Sequence, residues 1–268
     1  MMYLYEGGNV FKDERKVPVT QRINRNDVPT TVAWLEQVTG LNLKNELLGS
    51  TGVTETSGDI DLALDGNIIK KDAVIVVLTN WCKKQGIPDD QIINSKAKGK
   101  EPAHLDRWID ATGIEVHFRA PINGDPKQGF VQVDFNFLTN MKWSKFMLAA
   151  MPAGSQFKGV DRAVLFNSIG KVLGVKVNVI SGVHARDTNE LVTNDPATMA
   201  HMFLDGHGTA KDLASVETTI AALRNDPKRK EKLHDFAEYL AKSGRQMPQL
   251  EQSEHPTEWF RYIQQKLK

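Results

Sequence analysis

Two aspartates separated by one residue, Asp59 and Asp61, lie in a short apolar stretch that predicts a β-strand. Because side chains two positions apart in a strand point to the same side, both carboxylates share one face, and Ile60 points to a core. Adjacent carboxylates repel each other unless a cation lies between them. Mg²⁺ is commonly held by a few carboxylates together with substrate phosphates and water. The pair therefore predicts a divalent metal site that acts on a phosphorylated substrate.

A small-residue turn precedes this strand. Leu48, Gly49 and Ser50 are followed by eight residues and then by Asp59. Glycine lets the backbone approach a phosphate closely, and neighbouring N–H groups and the serine hydroxyl can donate hydrogen bonds to it. We therefore expect Gly49 and Ser50 to bind phosphate. A reading without chemistry stays open, because Gly-Ser is a common turn pair and an Asp-x-Asp can be a solvated strand face.

The order of an apolar residue, Gly-Ser, a spacer and an Asp-x-Asp flanked by apolar residues resembles the signature of the polymerase-beta-like nucleotidyltransferase superfamily. This resemblance implies a third carboxylate on a later strand. Residues 131–137 alternate strictly between apolar and polar side chains, and Asp134 is the only charged residue among them. We therefore expect Asp59, Asp61 and Asp134 to converge on one catalytic metal site.

The resemblance also implies a reaction, the transfer of a nucleoside monophosphate from an NTP such as ATP to an acceptor hydroxyl, with release of pyrophosphate. In this scheme Asp59 and Asp61 hold the Mg²⁺ or Mn²⁺ that binds the β- and γ-phosphates. Asp134 helps to bind a second metal near the acceptor and assists deprotonation of its hydroxyl. Gly49 and Ser50 hold the terminal phosphates.

Basic side chains for the triphosphate are expected elsewhere, because no arginine follows the Gly-Ser pair as it does in the polymerases of this superfamily. Lys158 and Arg162 are four residues apart in a segment that predicts a helix, so both would project from one face and could bind phosphates. The alternative is a pair of ordinary solvent-facing residues. The missing arginine, with no helix-hairpin-helix pattern, disfavours a templated DNA polymerase.

The elements that must position these residues predict an α/β (α+β) fold, with a nucleotidyltransferase-type mixed sheet, covering helices and a helical C-terminal region. We predict three divisions of the chain: an N-terminal arm over 1–29, a catalytic domain over 30–180 and the helical region over 181–268. Helices are predicted over residues 30–40, 72–85, 104–112, 157–174, 196–204, 216–223, 228–242 and 257–267.

A second alternating segment, residues 114–119, is predicted to form a hairpin with the strand that holds Asp134. Its polar face carries Glu115, His117 and Arg119. Depending on the register, either Glu115 or His117 lies across from Asp134, where it could orient or extend the metal site. These polar residues could equally be a solvated rim.

Composition and charge narrow the cellular setting. A formal net charge of +1 over 268 residues disfavours a protein that coats long nucleic acid. The single cysteine, Cys82, cannot form an internal disulfide, which favours a reducing cytoplasm. The sequence has no apolar stretch of membrane length and no signal-peptide pattern, so we expect a soluble cytoplasmic protein without a membrane partner. The chain is also similar in style to bacteriophage nucleotidyltransferase-like proteins, which would place it in a host cytoplasm.

The acceptor separates the functional hypotheses. An RNA or other nucleic-acid end is the expected acceptor, and the basic loop at residues 96–100 and the helical tail could hold it. A small molecule or a protein hydroxyl is the alternative, and the near-neutral charge suits it. A third possibility belongs to another class, a module that binds a nucleotide without catalysis.

Overall fold

A mixed β-sheet carries the aspartates that the sequence predicts to bind metal. The computed structural model describes residues 10–94, 107–111 and 115–247. The basic loop at 96–100 and the helix predicted at 257–267 lie outside the described residues. The chain divides into two compact units, Met1–Met141 with Leu148–Ala153, and Lys142–Met147 with Gly154–Lys268.

The first unit mixes helices and strands, and the predicted α+β class with a mixed sheet is confirmed. Its elements are β1 (Ile23–Asn24), α1 (Val28–Thr39), β2 (Thr56–Ser57), β3 (Asp59–Asp65), α2 (Lys71–Lys84), β4 (Ile93–Asn94), β5 (Ile109–Asp110), β6 (Val116–Pro121) and β7 (Phe130–Leu138). Helix α1 ends at the glycine that the sequence predicted to stop it. Pro29 lies in its first turn, and Gly40, directly after its last turn, adopts φ 71°.

The large sheet has the strand order β3-β7-β6-β5-β4. β3 runs parallel to β7, whereas β6 is antiparallel to both β7 and β5. Apolar side chains of the central strands, such as Ile60, Phe118 and Phe135, share a buried core with Leu35 of α1 and Leu78 of α2. The alternation of strand side chains then leaves the polar residues on the opposite face, so the two helices cover only the apolar side.

Residues 10–29, the part of the predicted N-terminal arm that the structure describes, do not form a separate arm. β1 pairs with β2, and Ile23 belongs to the core of the first unit. The backbone N–H of Val10 donates to the side chain of Gln132, and that of Gln21 donates to the carbonyl of Phe130. The described part of residues 1–29 is therefore an integral part of the sheet domain.

The helix predicted over 104–112 is corrected where the structure describes it. Ile109 and Asp110 form β5, which pairs with β4 and β6. Residues 104–106 and 112 lie outside the described residues. A strand of two residues is too short to show a period of two, which is why the pattern alone predicted a helix.

The second unit contains α3 (Met141–Met147), which begins one residue before it, and a three-stranded antiparallel sheet with further helices. These are α4 (Gly159–Val172), β8 (Val175–Asn178), β9 (Gly182–Ala185), β10 (Leu191–Thr193), α5 (Pro196–Phe203), α6 (Val216–Ala222) and α7 (Arg229–Lys242). Leu165, Phe166 and Ile169 of α4 share a core with Phe236 of α7. Residues 154–180 therefore belong with the C-terminal region, and the predicted boundary at 180 moves to the neighbourhood of residue 154.

The helices predicted over residues 196–204, 216–223 and 228–242 are present as α5, α6 and α7, but the strands β9 and β10 were not predicted. Their strands are four and three residues long, too short for a clear alternation. Throughout the part of the chain that the structure describes, no helix combines the length and the apolar character needed to cross a membrane.

Candidate functional site

The parallel pair β3–β7 brings the predicted aspartates to neighbouring positions. Asp61 pairs with Asp134, and Asp59 pairs with Gln132. Paired residues on adjacent strands project to the same side of a sheet, so all three carboxylates share the polar face. Asp134 is only 6% exposed, and Asp59 and Asp61 are partly buried. The neighbouring Asp59 and Asp61 and the distant Asp134 are thus gathered in poorly solvated surroundings.

The electrostatics of these aspartates show how costly their negative charges are. Burial, followed by the charges of Asp59, Asp134 and Glu115, raises the pKa of Asp61 to about 8. Burial, followed by the charge of Asp134, raises the pKa of Asp59 to about 6. Desolvation and like charges both penalise the ionised carboxylate. A bound cation would offset both penalties, and this is the property expected of an acidic metal site.

The hairpin register decides between the two residues that could face Asp134. In the antiparallel pair β6–β7, His117 lies opposite Asp134. The imidazole Nδ1 is 2.7 Å from Asp134 Oδ1, and Nε2 is 3.8 Å from Glu115 Oε2. On the next strand, Asp110 pairs with His117. A row of four ionisable residues therefore crosses β3, β7, β6 and β5.

Glu115, His117 and Asp134 form a group that could hold a metal ion. One potential ligand atom from each lies within 4.8 Å of the other two. Burial raises the pKa of Glu115, and the charge of Asp134 raises it as well. Although burial opposes it, the hydrogen bond and charge of Asp134 raise the pKa of His117. The sequence marked these two residues only as alternatives, whereas the fold gathers both beside Asp134.

Gln132 orients the third aspartate. Its side-chain Nε2 lies 3.0 Å from each carboxylate oxygen of Asp134, and its Oε1 accepts a hydrogen bond from Val10 N. Gln132 is 2% exposed, so this arrangement is shielded from water. Asn136 Nδ2 also donates to the backbone carbonyl of Asp134. The polar residues that alternate along β7 thus hold the carboxylate between a fixed amide and His117.

The Gly-Ser turn lies against the second aspartate. Leu48 N donates to the carbonyl of Asp61 at 2.9 Å. Gly49 adopts φ +59°, and a Cβ at this position would lie 3.3 Å from Asp61 Oδ2. Glycine is therefore required both by the left-handed backbone and by the close carboxylate. The turn positions Asp61, a role that the sequence pattern did not predict.

The predicted phosphate contacts of the turn need one correction. The backbone N–H of Gly49 donates to Leu148 O at 2.8 Å, so it does not point freely toward a ligand. Ser50 is exposed, and its carbonyl accepts from Ser57 Oγ at 3.3 Å. The buried Thr51 accepts a hydrogen bond from Asp61 N through its hydroxyl. Of the predicted pair, Ser50 keeps a side chain accessible to phosphate, whereas Gly49 has a structural contact.

The two predicted basic residues belong to the second unit and do not share an exposed face. Lys158 is exposed and occupies the N-cap of α4. Arg162 is 1% exposed, and its guanidinium donates to the carbonyls of Phe146, Met147 and Ala214 at 2.8 to 2.9 Å. Burial lowers the pKa of Arg162 to about 10. The prediction that Lys158 and Arg162 project from one face to bind phosphates was wrong for Arg162, and so was the solvent-facing alternative, because α4 is buried on that side as well.

Comparison of the chain with known proteins adds no family assignment. No protein-family model matches it, and no curated protein matches it either. What the fold and the site define is a mixed α+β domain with a partly buried acidic cluster that could hold a metal ion. Since a fold by itself does not determine a function, the function must be argued from the geometry of this site.

Proposed function

We propose that this protein is a metal-dependent nucleotidyltransferase, similar to members of the polymerase-beta-like superfamily. One observation carries the proposal: Asp61 and Asp134 are paired on adjacent parallel strands, with Gly49 packed against the Asp61 carboxylate. The turn, the Asp-x-Asp and the later aspartate that resemble the superfamily signature are thus neighbours in space. A surface cluster of acids would have no need of this close backbone approach.

The residues present fit a divalent cation. Asp59, Asp61 and Asp134 supply carboxylate oxygens, the ligands that Mg²⁺ and Mn²⁺ prefer. Glu115 adds a carboxylate, and His117 adds an imidazole whose Nε2 is on the side of Glu115. When bound, divalent cations would stabilise the attacking and leaving oxygens of in-line displacement at the α-phosphorus. The mixture of oxygen and nitrogen ligands is compatible with Mn²⁺ as well as Mg²⁺.

In this proposal, some side chains of the site bind the nucleotide and another accepts a proton. Asp59 and Asp61 on β3 would face the triphosphate of the NTP, with the exposed Ser50, on the turn that packs against Asp61, as a hydroxyl donor. Asp134 takes the proton of the acceptor hydroxyl, because it is the carboxylate oriented by both Gln132 and His117. Hydrogen-bonded fixation of a base lowers the reorganisation that proton transfer requires.

The proposed acceptor is the end of an RNA or another nucleic acid. The near-neutral net charge gives little non-specific attraction, so recognition would depend on local contacts rather than on a broad basic surface. Transfer to a small-molecule or protein hydroxyl would use the same metal-binding residues in the same way. The acceptor is therefore identified by the labelled product and not by the chemistry at the aspartates.

The proposal is tested by incubating the protein with each α-labelled NTP, Mg²⁺ or Mn²⁺, and either RNA or a cell extract. We expect label to enter a nucleic-acid end with the wild-type protein and to be lost with Asp61→Asn. The matched control is Asp90→Asn, an exposed carboxylate outside the strands. Full transfer by Asp61→Asn, or no transfer from any NTP by the wild type, would overturn the proposal.

A further inference from the structure

An arginine in the segment predicted to be an N-terminal arm lies close to Gly58, the residue before the first aspartate of the site. Arg22 is exposed, but its guanidinium is held in place at β2. Its Nε donates to Thr56 Oγ1 at 3.0 Å, and its Nη2 donates to the Thr56 carbonyl at 2.9 Å. An exposed arginine with two such contacts has a defined orientation, unlike a freely rotating surface side chain.

The remaining nitrogen of this guanidinium, Nη1, lies near Gly58. A Cβ placed on Gly58 would lie 3.5 Å from Arg22 Nη1. Gly58 directly precedes Asp59, the first residue of β3. The guanidinium therefore lies beside the residue that leads into the first aspartate of the site.

The Gly-Ser turn is joined to the same segment. Ser57 Oγ donates to the Ser50 carbonyl at 3.3 Å, and Thr54 Oγ1 donates to that carbonyl and to the Thr56 carbonyl. Ser50, Thr56 and Ser57 consequently belong to one hydrogen-bonded corner just before β3. Arg22 brings a fixed positive charge to this corner, which has no arginine of its own after the Gly-Ser pair.

A guanidinium has five N–H donors in a planar fork, so the contacts with Thr56 leave donors for a ligand. A metal ion held by the carboxylates would lie near this arginine. A polyphosphate suits such a pair, because its oxygens can be shared between the cation and the guanidinium. A neutral or cationic ligand would gain nothing from this arrangement. The chemistry at this corner thus selects for phosphate groups.

We propose that Arg22, oriented by Thr56, forms the anion subsite that binds the terminal phosphates of the nucleotide beside Asp59. This inference rests on the proposed function for the identity of the substrate. It replaces Arg162, which is committed to backbone carbonyls, as the main basic residue for the triphosphate. It also assigns a role to a segment whose sequence is merely polar and irregular.

The test measures binding of inorganic tripolyphosphate to the full chain by calorimetry in the presence of Mg²⁺. Arg22→Ala should weaken this binding roughly tenfold or more, since hydrogen bonds to charged groups are among the stronger ones. Arg22→Lys should restore part of the affinity, because it keeps the charge but loses the fork. The matched control is Arg25→Ala, an exposed arginine that contacts the Val53 carbonyl instead and should bind like the wild type.

A second measurement separates anion binding from an indirect effect on Asp59. Binding of Mn²⁺ alone should be unchanged or tighter in Arg22→Ala, because a nearby positive charge has been removed. Unchanged tripolyphosphate binding in Arg22→Ala, or a matching loss of Mn²⁺ affinity, would overturn the inference. Arginine-dependent tripolyphosphate binding without transfer from any NTP would contradict the proposed function and still support the anion subsite.

Discussion

The Nδ1 of His117 and the Oδ1 of Asp134 lie 2.7 Å apart across the antiparallel pair β6–β7. The same carboxylate also receives the side-chain amide of Gln132. Asp134 is thus held from two sides before any ligand binds. If the imidazole donates through Nδ1, its Nε2 is left as an acceptor on the side of Glu115, where a cation can use it.

His117 should therefore matter for metal binding. We expect His117→Ala to weaken Mn²⁺ binding roughly 10- to 100-fold, because the variant loses a ligand and releases Asp134 from its orienting contact. Calorimetry or electron paramagnetic resonance of Mn²⁺ measures the affinity. His207→Ala changes an exposed histidine of the second unit and should bind Mn²⁺ as the wild type does. Equal affinities in the wild type and His117→Ala would exclude the histidine from the site.

Metal binding should depend strongly on pH. The pKa of Asp61 is raised to about 8 and that of Asp59 to about 6, so both hold protons at acidic pH when no metal is bound. A cation must displace those protons, and its affinity should rise between about pH 6 and pH 8.5 and then level off. Titrations in buffers of different ionisation enthalpy count the protons released. A flat affinity over this range would contradict the prediction.

The stability of the metal-free protein should show the opposite trend. Folded Asp61 keeps its proton up to about pH 8, whereas the unfolded chain releases it near the ordinary pKa of 3.8. Unfolding therefore releases a proton within this window, and the free energy of unfolding falls as pH rises. Asp61→Asn carries no ionisable group and should show a smaller decline in denaturant titrations at pH 6 and pH 8.5. A decline as steep as that of the wild type would place its origin elsewhere.

Gly49→Ala and Gly40→Ala form a matched pair. Both glycines have a positive φ, +59° and +71°, so each alanine should cost roughly 1 kcal/mol of stability through backbone strain. Only the Gly49 Cβ meets a neighbour of the site, Asp61 Oδ2 at 3.3 Å, whereas Gly40 has nothing within 4 Å. Mn²⁺ affinity and nucleotidyl transfer should fall in Gly49→Ala alone. Equal losses in both variants would mean that strain, and not the contact with Asp61, is responsible.

Asp161 should govern the acid stability of the second unit. Its buried carboxylate accepts hydrogen bonds from Tyr239 OH and Arg245 Nη1, both at 2.8 Å. Although burial opposes it, the contact with Arg245 lowers the pKa of Asp161. A lowered pKa stabilises the fold at pH values above the unfolded value of 3.8, and this contribution is lost as pH falls through the folded value.

The corresponding variant is Asp161→Asn. At neutral pH it should lower the free energy of unfolding by about 2 kcal/mol, less than for a fully buried pair because solvent partly screens Arg245. Its stability should also depend less on pH below about 4. Denaturant titrations at pH 7 and pH 3.5 test both points, with Asp90→Asn as the control. If Asp161→Asn were as stable as the wild type at neutral pH, Asp161 would not have the stabilising role assigned to it.

Much of the local structure could be predicted from the sequence because it depends on neighbouring residues. Gly40 ends α1, the alternation over 131–137 makes β7 a strand with one polar face, and the spacing of Asp59 and Asp61 puts both on one side of β3. The α+β class follows from the order of these elements. These features need only a few consecutive side chains and the period of the backbone.

The arrangement across the sheet was decided only in three dimensions. The register that pairs Asp61 and Asp134, and sets His117 rather than Glu115 opposite Asp134, depends on packing between segments far apart in the chain. The same holds for Arg162, whose helix predicted an exposed face but whose guanidinium is enclosed by carbonyls from other segments. Residue types and periodicity thus determined which side chains could do chemistry, and long-range packing determined which of them meet.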